Sequence, residues 1–189
     1  QPTAAIAERF AARGRRAWNT HLLWSLAPKH EGARYIYVVR DGRDAIVSFW
    51  YHLRNQRGDA GTFEGSLESF VQQIANRELP YGKWAAHVAD WARAADDERV
   101  LFVRYDDMKA DLAGVARRVA RHLGVRYSDA VLRCCTFEAM RADEARYEPQ
   151  SVQWAPGFRF LRKGGSGDGR RTLAPPSAAV LDGDFLTYC

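Results

Sequence analysis

The apolar residues of this chain fall into two kinds of run. Tyr35-Ile36-Tyr37-Val38-Val39 is a continuous stretch of aromatic and β-branched residues that stops on Arg40, and Val100 to Val103 is a second buried-strand pattern. Each is followed by apolar residues at helical spacing: Ile46, Val47, Trp50 and Leu53 after the first, and Leu112, Val115, Ala116, Val119 and Leu123, closed by Gly124, after the second. Strand then helix, twice, predicts an α/β fold with a parallel sheet flanked by helices. Between the two units, Leu67, Phe70, Val71 and Ile74 form one helical face and Trp84, Val88 and Trp91 another, with Pro80 and Gly82 marking the break. These aromatics are expected in the core rather than against a ligand.

The ends of the chain are less regular. Residues 1–14 have helical composition (Ala4, Ala5, Ile6, Ala7, Phe10, Ala11) and close on Gly14, and Arg16 to Thr20 reads as extended. The stretch from Gly164 to Gly169 is glycine-rich and expected to be mobile, and Pro175-Pro176 marks 164–189 as an irregular tail with a short helical patch near Ala178 to Phe185. At 189 residues, 47% of them hydrophobic, the whole of 1–189 reads as one domain.

Charge and chemistry sharpen this picture. The carboxyl end of a parallel strand is where open α/β folds hold anionic ligands, and Arg40 with Ser48 places a cation and a hydroxyl there, a pair suited to a phosphate. The formal charge of +5 comes from arginines spread over the chain, which favours an anion-binding cleft over a nucleic-acid arm, and no stripe of alternating aromatic and basic residues appears. With three cysteines, two of them the neighbours Cys134 and Cys135, no disulfide framework is expected, and neither is a metal site. No apolar run is long enough to span a bilayer. The cysteine usage makes a reducing, intracellular compartment the expectation, cytoplasmic or organellar, and the start on Gln1 implies a cleaved targeting peptide or a longer chain of which this is a part.

The segment around Arg40 resembles the 3'-phosphate-binding element of the cytosolic sulfotransferases, which move a sulfuryl group from 3'-phosphoadenosine 5'-phosphosulfate (PAPS) to a hydroxyl or amine. Four further stretches resemble the family in the same order. Asn19-Thr20-His21 is similar to its Lys-Thr-His, and Tyr81-Gly82-Lys83-Trp84 with His87, Val88 and Trp91 to its Tyr-Gly-x-Trp helix. Tyr105-Asp106-Asp107-Met108 is similar to its Tyr-Glu-Asp-Met strand end, and Arg162-Lys163-Gly164 with Gly167-Asp168 to its C-terminal Arg-Lys-Gly loop.

The resemblance implies roles residue by residue. His21 would take the proton of the acceptor. Arg40 and Ser48, completed by Arg162, Lys163 and Gly164, would hold the 3'-phosphate of PAPS or of its product PAP, with Tyr105 and Phe137 near the adenine. An apolar or aromatic acceptor would draw on Phe49, Trp50, Tyr51 and Trp84. Three departures from the family pattern stand out, the first two against a complete site and the third against the family's dimer. The family's glycine- and serine-rich phosphate loop has no counterpart before Arg15, Asn19 stands in place of a lysine, and Arg170-Arg171-Thr172-Leu173 only faintly matches the family's dimerisation stretch. Two readings follow: a sulfotransferase whose phosphate loop is supplied upstream or in trans, or a degenerate, non-catalytic subunit of a larger assembly. In either, the sheet is truncated on its N-terminal side, and another polypeptide chain is expected to cover it.

Overall fold

The computed structural model describes Gly14 and residues 16–58, 62–78, 82–149 and 152–187. The helix expected over 1–14 lies outside the described residues except for Gly14, as do Leu79, Pro80, Tyr81 and Cys189.

Strand β1 (Tyr35–Val39) leads through Arg40 into helix α1 (Gly42–Arg54), and a two-residue strand, β2 (Gln56–Arg57), follows. Helices α2 (Leu67–Ala75) and α3 (Trp84–Ala92) precede β3 (Val100–Arg104), which runs directly into α4 (Tyr105–Ala110) and α5 (Leu112–Leu123). The two βα units therefore stand where the hydrophobic pattern puts them. Local chemistry sets their limits: the Asp41 side chain caps α1 by accepting from the Asp44 N–H, and Gly124 ends α5 in the left-handed region at φ 60°.

β1 and β3 pair in parallel, Tyr35 beside Val100 through Val39 beside Arg104, and among the described residues they are the whole of the parallel sheet. The face carrying Tyr35, Tyr37 and Phe102 is covered by Trp24 and Trp91, with the Tyr37 and Trp91 rings stacked at 4.8 Å. On the other face Val103 is buried, while Ile36 and Val38 on β1 stay 38% and 50% exposed. A second cluster, built from Ile46, Val47 and Leu53 of α1 with Phe70, Val71 and Ile74 of α2, forms the main core. Trp50 is buried in it and Phe49, Tyr51 and Trp84 pack against it, so the four residues expected around an acceptor serve mainly as packing.

The C-terminal quarter differs most from expectation. Short helices α6 (Asp129–Cys134) and α7 (Phe137–Ala142) have no apolar period long enough to predict them, and β4 (Gln153–Trp154) pairs antiparallel with β2. The tail, expected to be irregular apart from a helical patch near Ala178 to Phe185, forms α8 (Asp168–Thr172) and a longer helix over that patch, α9 (Pro175–Leu186). Pro175 and Pro176 start α9 instead of preventing it, since the first turn of a helix needs no backbone N–H donors and a proline ring presets its φ. Leu181 of α9, fully buried against the α1–α2 core, holds this end of the chain in place.

Candidate anion-binding site

The two strand ends meet side by side because β1 and β3 are in register, and each delivers one residue to a common cavity. Arg40 leaves β1 and Tyr105 leaves β3, with the guanidinium carbon 4.5 Å from the centre of the Tyr105 ring. Ser48 reaches the same cavity from the second turn of α1. Opposite, the Thr136 hydroxyl caps α7 by accepting from the Ala139 N–H, and so aims Phe137 and Met140 at the cavity. Residues 160–165 close the third side. The cavity has a volume of about 270 Å³, and Arg40, Ser48, Tyr105, Phe137, Arg162, Lys163 and Gly164, all seven expected ligand-binding residues, line it together.

The loop that closes the cavity is bonded along its length, contrary to the mobility its glycines imply. Arg40 donates from Nη2 to the Gly165 carbonyl at 2.8 Å. Arg162 and Lys163 donate to the two oxygens of Asp168 at 2.6 and 2.7 Å, and Arg171 stands 3.6 Å from the same carboxylate. Gly164 has φ 61° and lies against the face of Phe137, so a Cβ there would be strained and would run into the ring.

Four cations, Arg40, Arg162, Lys163 and Arg171, meet two buried carboxylates, Asp44 and Asp168, which leaves a surplus of positive charge at the cavity. The Nε of Arg40 is buried with no hydrogen-bond partner among the described residues. Burial and a missing partner are costly for a guanidinium donor, so an anion that accepts from it would remove a penalty the protein otherwise carries.

Burial alone would push the Asp168 carboxyl up, but the hydrogen bonds from Lys163 and Arg162 outweigh it and hold it down at about 2. A carboxylate depressed in the folded state contributes stability above its ordinary pKa and loses it as pH falls through the folded value. The fold is therefore expected to lose about 2 kcal/mol between pH 5 and pH 2 through this group. Chemical denaturation across that range should show a flatter acid limb for Asp168→Asn than for the unmutated chain.

His21 is not brought to the cavity. It lies on an exposed segment, and its backbone carbonyl is 3.2 Å from Nε2 of His87, whose Nδ1 is 3.0 Å from the Tyr37 hydroxyl. The His21 carbonyl can only accept, so Nε2 of His87 donates to it, and in the neutral imidazole Nδ1 is then left to accept from the Tyr37 hydroxyl, whose pKa burial raises to about 12. Sequence reasoning passed over Asp44 and left Asp168 without a role. Asp168 sits inside the Arg-Lys-Gly resemblance and could have been weighed as a counter-ion, whereas Asp44 has only its i, i+4 spacing from Arg40 to mark it.

Comparison with known proteins bears on what this site is. The family model described as "Sulfotransferase domain" matches residues 2–186. The chain belongs to the sulfotransferase family. Among its sulfotransferase relatives, "Cytosolic sulfotransferase 17" of Arabidopsis thaliana is 26% identical over 191 residues, covering 90% of this chain and 54% of the relative. "Sulfotransferase 2B1" of Mus musculus is 31% identical over 159 residues, covering 79% and 46%. This chain thus spans about half the length of the curated relatives it matches. Among solved structures, mouse sulfotransferase SULT7A1 complexed with PAP superposes with a TM-score of 0.73 at 25% identity, covering 92% of this chain and 65% of that one. The non-catalytic subunit reading finds no support among these sulfotransferases, and among the described residues no helix is long and apolar enough to cross a membrane.

Proposed function

We propose that the cavity takes the 3'-phosphate and adenine of PAPS or PAP and that the protein containing this chain transfers the sulfuryl group of PAPS to a hydroxyl or amine acceptor. The observation that carries this reading is the buried, unpartnered Nε of Arg40 in a cavity with surplus positive charge, beside a serine hydroxyl and two aromatic rings. A phosphate monoester supplies the two negative charges and the acceptor oxygens that such a set can use. Tyr105 and Phe137 offer π faces for a purine, and Phe160, Leu161 and Met140 keep the wall apolar. The PAP named in the mouse SULT7A1 complex supports the same ligand.

PAPS contributes an activated sulfuryl group. The chain's own residues would bind and orient its far end, while His21, on a segment pinned through its carbonyl by His87, would accept the proton released by the acceptor. A relative named "3-beta-hydroxysteroid sulfotransferase", of Cavia porcellus, 28% identical over 177 residues, supports an apolar acceptor. The exposed Ile36 and Val38 face of β1 supports a further polypeptide segment lying against it.

Isothermal titration with PAP tests the reading. Binding is expected in the micromolar range or weaker, at least about tenfold tighter than for adenosine 5'-phosphate, because one charge-assisted phosphate contact is worth about 1.5–3 kcal/mol. Equal affinity for the two nucleotides, or none for either, would overturn it.

A further inference from the structure

Asp44 is 2% exposed, and its carboxylate is aimed away from solvent at a segment more than a hundred residues along the chain. Oδ2 accepts from the Gly167 N–H at 2.7 Å and Oδ1 from the Gly169 N–H at 2.6 Å, and Nη2 of Arg40 stands 3.5 Å from Oδ2. One buried side chain therefore touches the strand-end half of the cavity, through Arg40, and both amides that flank Asp168, the counter-ion of Arg162 and Lys163. The approach is too close for a side chain on the loop. A Cβ on Gly169 would stand 2.5 Å from the Arg43 carbonyl carbon and 2.7 Å from the Asp44 nitrogen.

We infer that Asp44 is a positioning residue that fastens the glycine loop to the β1–α1 junction and so sets Arg162 and Lys163 opposite Arg40 before any ligand arrives; the consequence for binding rests on the donor-site reading above. Two amides held by one ionised carboxylate make stronger bonds than neutral acceptors give, and holding the loop in advance spares the ligand the entropy of ordering it. Asparagine cannot substitute: it keeps one acceptor oxygen but turns an NH2 group toward a second N–H donor, and it removes the charge facing Arg40.

The test uses Asp44→Asn and Gly169→Ala, the second of which pushes the loop away without altering any charge. Amide exchange is expected to rise at least about tenfold at Gly167 and Gly169 in both variants, with protection in β1 and β3 unchanged. Titration is expected to show PAP affinity lowered about tenfold to a hundredfold, and affinity for adenosine 5'-phosphate hardly altered, so that the preference for PAP shrinks. General loosening of the fold would instead weaken both nucleotides together, and that result would overturn the inference, as would wild-type exchange at the two glycines. Should Asp44→Asn fail to fold, Gly169→Ala decides by the same readings. The exchange arm needs no ligand, so an unmutated chain that binds neither nucleotide sinks the donor-site reading, while the fastening by Asp44 is still judged at Gly167 and Gly169.

Discussion

Arg40→Ala is expected to take PAP binding below detection, a loss of at least about a hundredfold in a titration that resolves the unmutated chain. The guanidinium has three engagements, with the Gly165 carbonyl, the Asp44 carboxylate and the Tyr105 ring, and its buried Nε has no hydrogen-bond partner among the described residues. Alanine deletes the cation and uncouples the loop at the same time. Lysine should recover only part of the binding, because an ammonium is a point charge and cannot place a planar fork between a carbonyl, a carboxylate and an anion. Ser48→Ala, which removes one neutral hydroxyl from the same wall, should cost about tenfold or less. An Arg40→Ala chain that binds PAP within threefold of the original would show that the cavity is not where the nucleotide sits.

The largest loss of stability is expected from Phe70→Ala. Phe70 is fully buried at the centre of the main core, with its ring 4.9 Å from that of Phe63 and 5.9 Å from that of Phe49, both edge-on. Truncation removes the transfer energy of the ring and leaves a cavity among α1, α2 and α9, together about 3–5 kcal/mol. A urea midpoint shift of that size should be plain beside Val38→Ala, where half the side chain is already in water and the change should stay within about 0.5 kcal/mol.

How far the sequence discloses this protein depends on the range of the interaction concerned. The strand at Tyr35–Val39, the α1 face of Ile46, Val47, Trp50 and Leu53, and the Gly124 stop are written in neighbouring residues, and the fold realises them. The seven residues marked by motif resemblance converge on one cavity, Arg40 and Tyr105 because they leave the ends of paired strands and Ser48 and Phe137 because they sit on helices beside them. The helical patch near Ala178 to Phe185 was legible, but the start of α9 was not, because paired prolines read locally as a break and here begin the helix. Asp44 was illegible for a stronger reason. Beside Arg40 it resembles an ordinary surface pair on a helix, and the two amides it holds belong to a loop that no local pattern connects to it.

The separation of 123 and 125 residues between Asp44 and the amides it accepts from also bears on how this chain folds. Contacts that distant cannot repay the entropy of closing so long a loop until most of the chain between them is ordered, so the cavity should be among the last features to form and the first to open. No fragment cut between α1 and the glycine loop should retain affinity for the ligand. Conversely, any ligand that requires both halves draws on the cooperativity of the entire fold, and at a hundred times its dissociation constant it should raise global stability by about 2.7 kcal/mol through mass action alone.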